Sequence, residues 1–228
     1  MRYGVLAALV AVGCGGTRED GRATDSLRTA PTAPTSPPDQ RPAIVFLGTS
    51  LTAGYGLRDP ATEAYPALLQ GKLDSAGRRF RVVNAGVSGE SSAGALSRID
   101  WLLERDSVAI LIVETGANDG LRGQDPDSVR ARVQAIFDHA RRSARPPRLV
   151  VVGMEALPNL GQDYVARFRA IYPAVARTNG AALVPFLLAG VAGVDSLNQD
   201  DGIHPTAAGH RILAANVWSV LEALTRRR

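Results

Sequence analysis

Ala43-Ile44-Val45-Phe46-Leu47 is an uninterrupted apolar run that stops at Gly48 and leads into Thr49-Ser50-Leu51-Thr52-Ala53-Gly54. A run this short, closed by glycine, reads as a strand buried on both faces. The pattern returns at Phe80–Val83, Val108–Val113, Leu149–Val152 and Ala182–Val184. Between these runs the apolar period lengthens to that of a helix. Val129, Val133, Ile136, Phe137 and Ala140 form one stripe, and Leu213, Val217, Val220, Leu221 and Leu224 another. Ala95, Ile99, Leu102 and Leu103 form a shorter stripe with Ser92 as candidate N-cap. Pro173 interrupts the helical pattern between Gly161 and Asn179, which predicts a kink or two short helices there.

Five apolar strands alternating with helices predict an α/β fold, a five-stranded parallel sheet covered on both faces. Right-handed crossovers then put ligand chemistry at the carboxyl ends of the strands, just after Leu47, Val83, Val113 and Val152.

The rest of the chain limits the alternatives. Among 228 residues, 45% are hydrophobic and 21% charged, and there is one cysteine, which excludes full-length disorder and a disulfide framework. No apolar run approaches the ~20 residues that span a bilayer. The net charge is +4, and Lys72 is the only lysine. Arg130, Arg132, Arg141, Arg142 and Arg145 alternate with apolar helical positions and lack interleaved aromatics, so they read as a solvated helix face rather than a nucleic-acid surface.

Residues 1–14, MRYGVLAALVAVGC, have one early positive charge and a short apolar core, the proportions of a signal peptide. Ala11-Val12-Gly13-Cys14 resembles a bacterial lipoprotein cleavage box, with Ala11 where leucine is commonest, and makes Cys14 the expected lipidation site. An ordinary secretory signal is the alternative. Residues 15–42, including TAPTAPTSPPDQRP, carry no apolar period and read as an extended tether. The expected organisation is therefore signal 1–14, tether 15–42 and one folded domain 43–228, exported and anchored to a membrane by lipid.

The strand ends collect chemistry. Ser50 follows the first strand, between Gly48 and Gly54, outside any G-x-S-x-G elbow. The second strand is followed by Asn84-Ala-Gly86-Val-Ser-Gly89-Glu-Ser-Ser and the third by Glu114-Thr-Gly-Ala-Asn118-Asp119-Gly120. Near the C-terminus stands Asp200-Asp201-Gly-Ile-His204-Pro205. Singly, Ser50 and Gly86 read as turn residues, Asn118 as a cap, and Asp201 with His204 as a loop before the last helix. Together, a serine, a glycine N–H, a side-chain amide and a histidine three residues after a carboxylate are the parts of an acyl-transfer site. His204, His210 and Asp201 match no usual metal-ligand spacing, so no metal is expected. His139 reads as a boundary residue and His210 as a structural one.

The blocks NAGVSGESS, GANDGLRG and DGIHP resemble the SGNH hydrolases, also called the GDSL lipase/esterase family, in particular its bacterial thioesterase I, lysophospholipase L1 and arylesterase branch. The resemblance runs from about residue 43 to 225 and implies a flavodoxin-like three-layer α/β/α sandwich with no cofactor. It implies Ser50 as nucleophile, His204 as general base and Asp201 as the acid that orients it. The oxyanion hole would be formed by the Ser50 and Gly86 N–H groups and the Asn118 amide. The branch places part of its acyl-binding surface after the fourth strand, at Met154, Leu157 and Pro158. One departure stands in the first block, where Thr49 replaces the usual aspartate; this bears on the hydrogen bonding of the serine loop, not on the triad. Carboxylic esters, lysophospholipids among them, are the expected substrates. A carbohydrate acetyl esterase of the same superfamily and a non-catalytic lipoprotein binding module are the two rivals.

Overall fold

The computed structural model describes residues 39–105 and 107–226, so the expected signal, Cys14 and most of the tether lie outside the described residues. Ala43–Gly48 forms strand β1, buried at every position. Helices α1 (Ser50–Ala53), α2 (Pro60–Glu63) and α3 (Tyr65–Ser75) come next, then β2 (Arg81–Gly86), α4 (Ser92–Ser97), α5 (Ile99–Arg105) and β3 (Val108–Val113). The chain continues through α6 (Ala117–Leu121), α7 (Pro126–Arg142), β4 (Arg148–Val152), α8 (Gln162–Asn179), β5 (Ala182–Val184) and α9 (Ala207–Thr225).

The strands make one parallel sheet in the order β2-β1-β3-β4-β5. This is the flavodoxin-like winding, and it explains the layers. The step from β1 to β2 runs one way and every later step the other, so right-handed crossovers send α3 to one face and α4 to α8 to the opposite one. After β5 the chain returns to the first face, where α9 packs on α3, while α7 packs on α8, α4 and α5. Phe46, Tyr65, Phe137, Phe168 and Tyr172 are among the largest fully buried side chains of the core between these layers. The winding reverses at β1, and the register aligns the ends there: Gly48 pairs with Gly86, and Leu47 with both Ala85 and Val113. The loops that leave Gly48, Gly86 and Val113 therefore emerge together at one edge of the sheet.

Two local expectations need correction. The N-cap of α4 is Ser91, whose hydroxyl accepts from Gly94 N–H at 3.4 Å. Ser92 is instead the first helical residue, turned inward to Asp119, and the Ala95–Leu103 stripe divides between α4 and α5. Helix α8 runs through Pro173 as a single 18-residue element, so of the two outcomes expected there the division into two short helices does not occur. Proline removes one helical hydrogen bond, at a cost of ~3 kcal/mol. Burial of Phe168, Ile171, Tyr172, Val175 and Ala176 around it, against α7 and β4, offsets that loss. Arg130, Arg141, Arg142 and Arg145 are exposed, and Arg132 reaches Gln124 and Asp119. Among the described residues no helix is long and apolar enough to cross a membrane.

His210 lies within α9 and is 1% exposed. Its Nδ1 accepts the Tyr65 backbone N–H at 3.2 Å, and its ring stacks on Tyr65 at 6.3 Å. Nδ1 is thus the unprotonated nitrogen, and burial pushes the pKa down to about 4 from 6.5. A base with a depressed folded pKa contributes stability that is present above pH 6.5 and lost as pH falls toward 4. At ~1.4 kcal/mol per unit the contribution is about 3 kcal/mol. In urea unfolding at pH 7, 5.5 and 4, the stability of wild type relative to His210→Gln, which keeps an acceptor but cannot charge, is expected to fall by this amount as pH falls. An equal pH slope in the variant would reject the assignment.

Candidate active site

Ser50 opens α1 at the end of β1, with Thr49 as N-cap in an extended conformation. The helix is only four residues long because Gly54 turns left-handed, at φ 77°, and closes it by donating its N–H to Ser50 O. The turn holds Ser50 half-buried at the carboxyl edge of the sheet.

Asp201 and His204 come from one loop just before α9. Asp201 Oδ1 accepts the backbone N–H groups of Ile203 and His204, each at 2.9 Å, and Oδ2 lies 2.6 Å from His204 Nδ1. The two peptide donors orient the carboxylate before it meets the ring. Hydrogen bonds from the His204 backbone first, then its side chain and the Ile203 backbone, lower the Asp201 pKa to about 2. The carboxylate is therefore charged throughout the neutral range. With Nδ1–H held by Asp201, Nε2 is the accepting nitrogen, and it lies 2.9 Å from Ser50 Oγ. Ser50, His204 and Asp201 are thus brought into one hydrogen-bonded line across 154 residues of sequence.

Residues not singled out from the sequence complete this geometry. Gln199 Nε2 donates to Tyr55 O at 2.8 Å and to Pro205 O at 3.0 Å, tying the histidine loop to the segment that leaves α1. Gln199 N–H also donates to His204 O at 2.7 Å. The Tyr55 ring sits 4.6 Å from the His204 ring. Only the Asp-x-x-His pair is visible in the sequence; the glutamine two residues before Asp201 carries no motif signal.

The carbonyl-facing side of the site differs from expectation at one glycine. Gly86 N–H donates to Asn84 Oδ1 at 3.0 Å and is not available to a substrate oxygen. Its lack of a side chain serves packing, since a Cβ there would lie 2.3 Å from Ala53 N. Asn84 also donates from Nδ2 to Thr52 O at 2.8 Å, which locks α1 to the end of β2. Three residues on, Gly89 stands at φ 77° in the turn closed by Glu90 N–H to Val87 O, and a Cβ there would meet open space. Among the described residues nothing accepts the Gly89 N–H. Asn118 Nδ2 donates to Glu90 O at 3.0 Å, so its amide stands beside the Gly89 turn with a second N–H to spare. The sequence block holds both glycines, and only the backbone conformation separates the packed one from the open one.

The surrounding shell is built from a half-buried ion pair and buried hydrogen-bonded carboxyl groups. Arg98 pairs with Glu90 at 2.7 Å and donates to Ala85 O at 2.7 Å, bracing the segment after β2. Asp119, fully buried, accepts from Ser92 N–H and Oγ, each at 2.7 Å. Glu114, also fully buried, accepts from Thr49 N–H at 2.8 Å, from Thr49 Oγ1 at 3.0 Å and from Thr52 Oγ1 at 2.8 Å. Burial pushes its pKa up to about 7, and the bonds from Thr49 and Thr52 oppose that rise.

Of the expected acyl-binding residues, Leu157 is 46% exposed and Pro158 starts an exposed turn, but Met154 is 3% exposed and belongs to the core. Met154 therefore does not form the surface assigned to it. An apolar residue just after a buried strand continues the burial of that strand until the chain leaves the sheet edge. Exposed apolar side chains stand instead on several of the segments that follow the strands: Tyr55 after β1, Val87 after β2, Leu121 at the end of α6, Leu157 after β4, and Ile203 beside His204. A cavity of about 650 Å³ lies at the far edge of the sheet, near Ser107, His139 and Arg142, and has no part in this site. Among the described residues no group of three or more His, Cys, Asp or Glu is disposed to hold a metal ion.

Comparison with known proteins identifies relatives of the chain. The chain is 39% identical over 181 residues to esterase TesA of Pseudomonas aeruginosa, covering 79% of this chain and 88% of that protein. It is 36% identical over 171 residues to thioesterase 1/protease 1/lysophospholipase L1 of Escherichia coli K12, covering 75% and 79%. Among solved structures, esterase EstA of Pseudoalteromonas sp., inhibited by monoethylphosphonate, superposes with a TM-score of 0.74 at 30% identity, over 80% of this chain and 97% of that one. A TesA crystal structure superposes with a TM-score of 0.75 at 39% identity, over 80% and 99%. Residues 46–212 match the profile of the GDSL-like lipase/acylhydrolase family, a span that holds the whole Ser50, Asp201 and His204 line, and the chain belongs to that family.

Proposed function

We propose that Ser50 is the nucleophile, His204 the general base and Asp201 its orienting acid in the hydrolysis of carboxylic esters through an acyl-enzyme. That the chain is a carboxylic ester hydrolase follows from its family and relatives. The observation that carries the residue roles is His204, hydrogen-bonded at 2.9 Å to Ser50 Oγ and at 2.6 Å to Asp201.

A serine hydroxyl attacks an ester carbonyl only as a base takes its proton, and imidazole, with a reference pKa of ~6.5, suits that task at neutral pH. The proton passes from Ser50 Oγ to His204 Nε2 as the Oγ–carbon bond forms. Ionised Asp201 stabilises the resulting imidazolium. His204 then returns the proton to the departing alkoxide, which leaves as the alcohol. Water, deprotonated by the same nitrogen, releases the acid and restores Ser50. The carbonyl oxygen becomes negative in each half-reaction, and the Ser50 N–H, the Gly89 N–H and the free Asn118 N–H are its donors. Gly89 takes this role in place of Gly86, because the Gly86 N–H is already committed to Asn84.

Exposed apolar side chains on the segments that follow the strands, Tyr55, Val87, Leu121 and Leu157, and Ile203 beside His204, favour an ester with an apolar acyl or aryl group over an acetylated carbohydrate. Residues 1–14 and the tether support an exported protein anchored through a lipid on Cys14, facing lysophospholipids and other esters rather than acyl-CoA. A fluorophosphonate probe is expected to label Ser50, and a series of p-nitrophenyl esters to be cleaved well beyond the acetate. Activity confined to acetyl esters would favour the carbohydrate esterase, and absence of labelling the binding module.

A further inference from the structure

Glu114 is a fully buried carboxyl group that proton transfer at Ser50 does not use. Burying a carboxylate carries a desolvation cost, and an apolar side chain of similar volume is commonly as stable or more so. Its partners give it a purpose. Glu114 N–H pairs with Leu47 O at 2.8 Å, so the residue sits at the same sheet edge as the nucleophile turn. Its Oε2 accepts the Thr49 N–H at 2.8 Å and the Thr52 hydroxyl at 2.8 Å, and its Oε1 accepts the Thr49 hydroxyl at 3.0 Å. Thr52 Oγ1 also lies 2.7 Å from Tyr65 OH, so the Tyr65 hydroxyl can donate to Thr52 while Thr52 donates to Glu114. A Cβ on Gly48 would stand 2.0 Å from Thr52 Oγ1 and 2.8 Å from Glu114 Oε2, so the turn closes directly onto the carboxylate.

Thr49 immediately precedes Ser50 and is its helix N-cap, yet it has no side-chain cap bond to the helix. Its peptide and its hydroxyl are both given to Glu114. The hydrogen bonds that hold Thr49 on the buried side thus end on one side chain, and the next residue is the nucleophile. We propose that Glu114 is a positioning residue for hydrolysis, the common acceptor that holds the Thr49 peptide and the Thr49 and Thr52 hydroxyls and so aims Ser50 Oγ at His204. Where the family carries aspartate, threonine supplies this acceptor with a donor in place of a second carboxylate. The proposal rests on Ser50 being the nucleophile.

The test compares Glu114→Leu, which removes every acceptor, with Glu114→Gln, whose amide oxygen can still take the Thr49 N–H. With p-nitrophenyl butyrate, Glu114→Leu is expected to lower kcat about 10²-fold with KM within twofold, the size expected for a displaced reacting group. Glu114→Gln is expected to recover at least a tenth of wild-type kcat. Thr49→Ser, which keeps both donors, should stay near wild type, while Thr49→Val should lose several-fold in kcat. The threonine pair decides the matter if Glu114→Leu does not fold. Wild-type kcat in folded Glu114→Leu, equal losses in the Leu and Gln variants, or equal kcat in Thr49→Ser and Thr49→Val would overturn the proposal. Turnover surviving in Ser50→Ala would instead overturn the reading on which it rests.

Discussion

Purified Ser50→Ala is expected to lose ester turnover by about 10⁴- to 10⁶-fold, and His204→Ala by a similar factor. In the proposed mechanism Oγ and Nε2, 2.9 Å apart, act as one proton-transfer unit, so removing either end removes the unit. The double variant should therefore be no slower than the worse single one. The sum of two independent losses is not expected, because groups acting in concert are strongly non-additive. Ser50 is half-buried at the start of a four-residue helix, and alanine fits that position, so the melting temperature should hold within a few degrees. Loss of turnover with an unchanged melting temperature isolates the chemistry. Near wild-type turnover in Ser50→Ala would remove the nucleophile assignment.

Asn118→Ala is expected to lower kcat about 10²- to 10³-fold, the usual cost of one oxyanion donor. The side chain has two N–H groups: one donates to Glu90 O at 3.0 Å, and the other is the proposed donor to the substrate oxygen. The variant removes both, and the Glu90 bond is a modest structural contribution of about 1 kcal/mol. Transition-state and structural losses separate because the first appears in kcat and the second in thermal stability. A large rise in KM with kcat preserved would show that Asn118 binds the ground state instead.

The parallel sheet is legible because five buried strands leave five apolar runs, and the hydrogen-bonded triad because Asp201 and His204 share a short loop while Ser50 lies just past a strand-ending glycine. The features that escape the sequence depend on directions that residue types do not encode. Gly86 and Gly89 are equivalent as letters; a Cβ would strike Ala53 at one and open space at the other. Met154 and Leu157 are both apolar and three residues apart, yet one completes the core and the other faces water. Ser91 and Ser92 are each competent caps, and the inward bond to Asp119 decides between them. Glu114 does leave a signal, a carboxylate abutting the unbroken run Val108–Val113, but its meaning requires knowing that Thr49 lies opposite.

The separation of Ser50 and His204 by 154 residues has a further consequence, for the order in which the molecule matures. The proposed nucleophile lies just after the first strand, and its proposed base stands on the loop before the final helix. During synthesis, at about 5–20 residues per second, the serine leaves the ribosome several seconds before the histidine exists. That loop leads directly into α9, which packs on α3 and buries His210 against Tyr65. The hydroxyl of an incomplete chain is therefore an ordinary unactivated serine. On the proposed roles, hydrolytic competence requires the segment that carries His204, so recovery of turnover on refolding is expected to report that this C-terminal segment has joined the sheet edge.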